Sequence, residues 1–256
     1  MARGGAGRGL LMRRLLLLGA AVFIAGGILI ARAADPDALW KIVHDRCVPD
    51  QENHASPAPC ETVVLGEGYA ILKDIRGATQ FLLIPTARIA GIETPDILAS
   101  DAPNYFRLAW AERARVSSRA GHALPDDGIS LAINSEFGRT QNQLHIHIDC
   151  LRTDVRAALA AHAGEVGGQW GAFPVELAGR PYRAVHLSDL ADNPFDILAH
   201  SLQNPAAEMP KHSLVLSAAV NGGFVLLDTV ADTAAGNPGS GEELQDHACA
   251  LAQAPS

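Results

Sequence analysis

Two spacings of apolar positions run through the chain and predict different elements. Tyr69–Lys73 and Phe81–Pro85 (YAILK and FLLIP) are short apolar runs on either side of Asp74-Ile75-Arg76-Gly77, which predicts two antiparallel strands around a turn. Ile129–Asn134 and Gln143–Leu151 are predicted as the next strands, joined by the polar, glycine-containing loop Ser135–Asn142. Ser213–Ala219 and Gly223–Thr229 flank Val220-Asn221-Gly222 in the same way. Helical spacing occurs in three places. Behind Pro36, the residues Leu39, Ile42, Val43 and Cys47 predict a short helix over Asp35–Cys47. Pro103–Ala120 puts Phe106, Ala109, Trp110 and Ala114 on one face with Arg and Glu opposite, and Val155–Ala163 is a further helix. Gly164–Ala172 is glycine-rich and is predicted as a connection. Strand pairs joined by turns, with helices between them, predict an α+β domain with a mainly antiparallel sheet. No glycine-rich phosphate loop follows any strand, which removes support for a dinucleotide-binding or P-loop reading.

The first 34 residues follow neither pattern. Arg3, Arg8, Arg13 and Arg14 precede an uncharged run of 17 residues, Leu15–Ala31, and Arg32 follows it. As a helix the run would extend about 25 Å, at the short end of what spans a bilayer and longer than most signal-peptide cores. The length favours a retained transmembrane anchor, whereas Ala31-Arg32-Ala33 has the small-x-small form of a cleavage site. The excess of Arg before the run places the N-terminus in the cytoplasm and sends residues 35–256 across the membrane. Two parts are therefore expected: an Arg-rich anchor over 1–34 and an exported domain over 35–256.

Charge follows the same division. The 256 residues carry 20 Lys+Arg and 28 Asp+Glu, a net −8. Five of the Arg and none of the acids lie in 1–34, so 15 basic residues face 28 acidic ones in the remainder. A body this acidic offers no basic surface to a nucleic-acid backbone, which excludes general DNA or RNA binding. The four cysteines, Cys47, Cys60, Cys150 and Cys249, suit an oxidising compartment. Cys47 and Cys60 flank the polar stretch VPDQENHASPAP. A bridge between them would close a loop of about 14 residues and contribute on the order of 3 kcal/mol. Cys150 and Cys249 would then remain to pair. Four cysteines allow three connectivities, and the pairs 47–60 and 150–249 are the ones expected.

One segment carries candidate chemistry. In the strand that ends at Cys150, a period of two puts His145, His147 and Asp149 on one face and Leu144, Ile146, Ile148 and Cys150 on the other. Two imidazoles and a carboxylate are costly to bury unpaired, so that face is expected to line a cleft. The preceding loop supplies Arg139, Thr140, Gln141 and Asn142 as donors for phosphate oxygens, with Gly138 allowing a sharp turn. Neutral imidazole beside such donors suits attack on phosphorus through a phosphoramidate that water then cleaves. A His-x-His pair on a strand is also a common metal-ligand pair or a solvated face. A zinc site here would need Asp149 together with distant residues such as His44, His122 or His247.

The run Asn134–His147 resembles the active-site segment of the histidine-triad hydrolases and nucleotidylyl transferases. Their pattern is three histidines alternating with apolar residues, a Gln four residues before the first, and an Asn seven before that Gln; Gln141 and Asn134 stand at those positions. The resemblance implies His147 as nucleophile, His145 as the histidine that supports it, and Asn134, Gln141 and Asn142 as phosphate-side contacts alongside Arg139. Asp149 stands where the third histidine is expected, which leaves that role open. A wider set of segments resembles the bacterial CDP-diacylglycerol pyrophosphatases: the Arg-rich N-terminal run, the Cys47-to-Cys60 loop, Phe81–Pro85, Ile129–Asn134, Gly138–Asn142, His145-Ile-His147 and Gln245-Asp-His-Ala-Cys249. This likeness implies a histidine-triad-like α+β fold and hydrolysis of the membrane lipid CDP-diacylglycerol to CMP and phosphatidate at the periplasmic side of the inner membrane. It implies no cofactor and no metal. Two alternatives stay open on the residues alone: a periplasmic nucleotide pyrophosphatase or nucleotidylyl transferase without lipid preference, and a non-enzymatic metal- or nucleotide-binding envelope protein.

Overall fold

A computed structural model describes residues 35–253. The apolar run expected to anchor the chain lies outside these residues. Among the described residues no helix is long and apolar enough to cross a membrane.

Among the described residues nine strands form one sheet in the order β1-β2-β3-β5-β4-β8-β9-β7-β6, and every pairing is antiparallel. They are β1 (Thr62–Val64), β2 (Tyr69–Lys73), β3 (Phe81–Pro85), β4 (Ile129–Ile133), β5 (Ile146–Cys150), β6 (Gly171–Ala172), β7 (Arg183–Leu187), β8 (His212–Ala218) and β9 (Phe224–Val230). The α+β reading and the three predicted strand pairs are present. Three strands had no sequence signal strong enough to find them. β1 and β6 have three and two residues, and β7 holds two charged or polar positions among its five.

Both faces of the sheet are covered. One carries the largest core cluster, where Phe106, Trp110 and Phe195 pack on Leu83, Leu131, Ile146 and Ile148. Helical spacing predicts one helix over Pro103–Ala120, and the structure has two, Tyr105–Ala111 and Ala114–Ala120. At the break the backbone tightens to i→i−3 bonds, Glu112 N to the Ala109 carbonyl (3.1 Å) and Arg113 N to that of Trp110 (3.3 Å), while the Glu112 carboxylate accepts from the Tyr69 hydroxyl (2.9 Å) and Arg113 Nη1 also returns to the Trp110 carbonyl (3.0 Å). The opposite face carries two smaller clusters. Val155 and Leu244 pack over β8 and β9, and Val43 and Cys47 pack over β2 and β3. The first helical run is longer than its spacing predicts and continues through Val43–Cys47 into Val48–His54. Val43–Cys47 is a π-turn, the widened geometry that accommodates the missing N–H of Pro49 just beyond it.

The two expected disulfides are present, Cys47–Cys60 and Cys150–Cys249, with 13 and 99 residues of sequence separation. The first ties that helical run to the start of β1. The second ties the C-terminal segment to the end of β5, and so to the histidine strand.

Candidate active site

Strand alternation places Leu144, Ile146, Ile148 and Cys150 in the main core and turns His145, His147 and Asp149 to the other face. That face is covered instead of open, because His145 is 8% exposed, His147 4% and Asp149 not at all. The covering element is the C-terminal segment. Gln245 Nε2 donates to the carbonyls of Ser130 and His147 (3.1 and 3.2 Å), and Asp246 N donates to that of Cys150 (2.8 Å). Each buried polar group under it then has to be paired from the protein, and most are.

Asp149 shows how. Its Oδ1 accepts from the Thr79 hydroxyl at 2.6 Å and its Oδ2 lies 2.8 Å from His247 Nδ1. The other nitrogen of His247 is 3.1 Å from Glu242 Oε1. Hydrogen bonds to Asp149 and then to Glu242 push the His247 pKa up to about 10, so at neutral pH it is an imidazolium between two carboxylates. Burial alone would push the Glu242 carboxyl up, yet hydrogen bonds from His247, Gln80 and Asn134 hold it well below the usual carboxylate range. Gly77 makes this packing possible. It sits at φ +67, and a Cβ there would come within 2.9 Å of His247 Cβ.

The imidazole pair at the start of β5 has the opposite electrostatics. The rings of His145 and His147 are 4.8 Å apart, edge to face. Burial, followed by the neighbouring His145, pushes the His147 pKa down to about 3, and burial lowers that of His145 as well. Both rings are therefore neutral at physiological pH. His147 Nδ1 lies 2.6 Å from Gln80 Nε2, and His145 Nδ1 lies 2.7 Å from the Gln143 carbonyl. His147 Nε2 and Gln80 Oε1 are buried without a partner among the described residues.

The four expected phosphate-side residues go to different places. Asn134 reaches the site, where its Nδ2 donates to Glu242 Oε2 (3.2 Å) and its Oδ1 accepts from Glu242 N (3.2 Å). Arg139 forks onto Glu93 with two 2.6 Å bonds and is 7% exposed, so its guanidinium already has a carboxylate. Gln141 clasps the start of the domain, donating to the Asp35 carbonyl (3.0 Å) and accepting from Leu39 N (3.1 Å). Asn142 N donates to the Pro36 carbonyl (2.6 Å) beside it. The Arg139 and Gln141 side chains thus hold neighbouring protein segments, and Asn142 does so through its backbone N–H. Gly138 closes the expected turn, its N–H donating to the Ser135 carbonyl (3.2 Å), and a Cβ there would also meet the Gly239 carbonyl oxygen at 2.8 Å, so the position needs close approach as well.

Two site residues escaped sequence reasoning, Gln80 and Glu242, whereas His247 enters it only as one of three distant residues that could join Asp149 in a metal site, and it does meet Asp149. Gln80 and Glu242 carry no local pattern. His247 lay in view within Gln245-Asp-His-Ala-Cys249, where the bridge from Cys249 to Cys150, next to Asp149, would have pointed to it.

Over residues 34–253 the chain matches the family described as CDP-diacylglycerol pyrophosphatase. It is 41% identical over 241 residues to a Yersinia pestis protein named CDP-diacylglycerol pyrophosphatase, with 93% of each chain covered. The chain belongs to the CDP-diacylglycerol pyrophosphatase family. Its members are hydrolases of phospholipid metabolism, and this chain is one of them. The paired cysteines fit an extracytoplasmic domain. Among the described residues no three His, Cys, Asp or Glu side chains are arranged to hold a metal ion.

Proposed function

We propose that the chain cleaves CDP-diacylglycerol to CMP and phosphatidate in two displacements through a cytidylyl-imidazole on the His145–His147 pair. The observation that carries this reading is the pair itself, two neutral imidazoles side by side under cover, neither of whose Nε2 atoms has a partner among the described residues. A neutral imidazole keeps a lone pair for phosphorus, and its exclusion from bulk water limits competing protonation. The leaving phosphatidate is a phosphate monoester and needs little proton assistance, so the third histidine of the triad pattern can be absent from position 149. The Asn134 amide, which has one N–H beyond the one it gives Glu242, would donate to a non-bridging oxygen as charge shifts in the transition state, while His247, with both N–H groups held by Asp149 and Glu242, would keep that carboxylate pair in place. The Arg-rich N-terminal run would tether the domain to the periplasmic face of a bacterial inner membrane, which raises the effective concentration of a membrane-resident substrate.

Release of CMP by the full chain in detergent micelles tests this. CDP-diacylglycerol should turn over in the presence of chelator, and a water-soluble cytidine diphosphate ester should give a much lower kcat/KM. Equal kcat/KM for the two would remove the lipid preference and leave a general nucleotide pyrophosphatase. Activity lost on chelation and restored by zinc would replace the imidazole route with a metal one.

A further inference from the structure

Family spacing selects His147 as the nucleophile, but the hydrogen bonds around the two rings distribute their protons the other way. His145 Nδ1 lies 2.7 Å from the Gln143 carbonyl oxygen. A carbonyl can only accept, so the ring proton is on Nδ1 and the lone pair is on Nε2. No hydrogen-bond partner of His145 Nε2 occurs among the described residues. His147 is arranged in reverse. Gln80 Nε2 lies 3.2 Å from Glu242 Oε1 and 2.6 Å from His147 Nδ1. The carboxylate can only accept, which turns the NH2 end of the amide to this side, and its remaining hydrogen is donated to His147 Nδ1. The Nδ1 lone pair of His147 is thereby used, and the proton of the neutral ring sits on Nε2.

We infer that the attacking atom is Nε2 of His145 and that His147 acts beside it as a donor, its Nε2–H directed at a phosphoryl oxygen. This rests on the covalent reading above and names the atom within it. Glu242 is then a positioning residue, which acts on His147 through the orientation of Gln80. In the first step the Nε2 lone pair of His145 forms an N–P bond to the cytidylyl phosphorus. The bond from that phosphorus to the bridging oxygen breaks, and its electron pair leaves with phosphatidate. The ring, now substituted at Nε2 and protonated at Nδ1, carries a positive charge that the Gln143 carbonyl accepts from. In the second step water attacks the phosphorus, the N–P electrons return to Nε2, CMP leaves and the water proton passes to solvent. His147 Nε2–H, buried and without a protein partner, finds in the phosphoryl oxygen the acceptor it lacks.

Trapping on the unaltered full chain is the primary test. The enzyme is turned over with CDP-diacylglycerol labelled in the cytidylyl phosphate and quenched in alkali, where an N–P bond survives. The two histidines share the tryptic peptide Thr140–Arg152, so fragmentation must place the label, and it should fall on His145. Variants give an independent readout. His145→Gly should lose about a thousandfold or more in turnover, and added imidazole should restore consumption of substrate with free cytidylyl-imidazole as product. His147→Gln, which keeps an N–H donor, should retain turnover within about a hundredfold of the unaltered chain and still be labelled on His145. Label on His147, or cytidylyl-imidazole from His147→Gly and not from His145→Gly, would overturn the assignment and leave covalent catalysis standing. No label on either ring, with neither glycine variant forming cytidylyl-imidazole, would sink the covalent reading and this inference with it.

Discussion

His212 on β8 and His145 at the entry to β5 belong to the same sheet and are almost equally buried, 5% and 8% exposed, but their surroundings differ in kind. His212 Nδ1 donates to both oxygens of Asp228, at 2.8 and 2.9 Å. Asp228 is fully buried and also takes Arg183 Nε at 2.6 Å, while the Arg183 guanidinium lies over the Trp170 ring at 4.5 Å. Each charge in that set already has its partner inside the fold. The β5 set is left incomplete, because His147 Nε2 and Gln80 Oε1 have none among the described residues. An unpaired buried polar group costs about 1–3 kcal/mol, a cost that a structural network avoids and that a binding site recovers when its ligand arrives. The β8 half is not free of unpaired groups, since the Tyr182 and Ser213 hydroxyls are buried without a partner among the described residues, but its histidine and its charges are all engaged. What sets the β5 half apart is an unpartnered imidazole nitrogen and amide oxygen beside a charged cluster.

The comparison breaks most sharply at the two buried aspartates. Asp149→Ala and Asp228→Ala each strip a carboxylate from a cationic or hydrogen-bonded partner and should each cost about 3–5 kcal/mol in urea unfolding. Only Asp149→Ala should also slow CMP release, by about a hundredfold, because His247 loses its anchor beside the substrate. A folded Asp228→Ala chain with turnover reduced as much would make the second half catalytic.

The disulfides sharpen the contrast at a comparable cost in stability and a smaller one in turnover. Removing Cys150–Cys249 by a double serine replacement opens a loop of roughly 100 residues and should cost about 4–5 kcal/mol, whereas removing Cys47–Cys60 should cost about 3 kcal/mol. The larger bridge pins Gln245 and His247 over β5, so its loss should lower kcat as well. Removal of the smaller should leave kcat unchanged, as turnover and denaturant titrations on the same preparations will decide.

The smallest effects are the pH slopes of stability. His247 has a pKa raised from 6.5 to about 10 by the fold, so the folded state holds its proton more tightly. Its contribution is complete below about pH 6.5 and is lost as pH rises through 10. His147 is lowered to about 3, so below pH 6.5 the unfolded chain takes up a proton that the folded chain refuses, and stability falls toward pH 3. In unfolding measured across pH, His247→Gln should flatten the alkaline slope and His147→Gln the acid one. Unchanged slopes in both variants would show that neither ring titrates as its surroundings require.

Much of the fold was legible in the residues. Apolar runs bounded by turn residues placed β2, β3, β4, β5, β8 and β9 to within a few residues, a period of two put His145, His147 and Asp149 on one face, and loop closure with an even cysteine count led to both disulfides. These are local properties, set by the pleat and by short stretches of chain. Tertiary structure decided the rest. It broke Pro103–Ala120 at Glu112, committed Arg139 to Glu93 and Gln141 to Asp35 and Leu39, and laid Glu242 and His247 over the histidine strand. The proton positions on His145 and His147 depend on which atom faces which. For His147 that partner is 67 residues away, and for Asp149 it is His247, 98 residues away. A hydrogen bond is specified by distance and direction in space, and a separation of that length along the chain fixes neither until the sheet has closed.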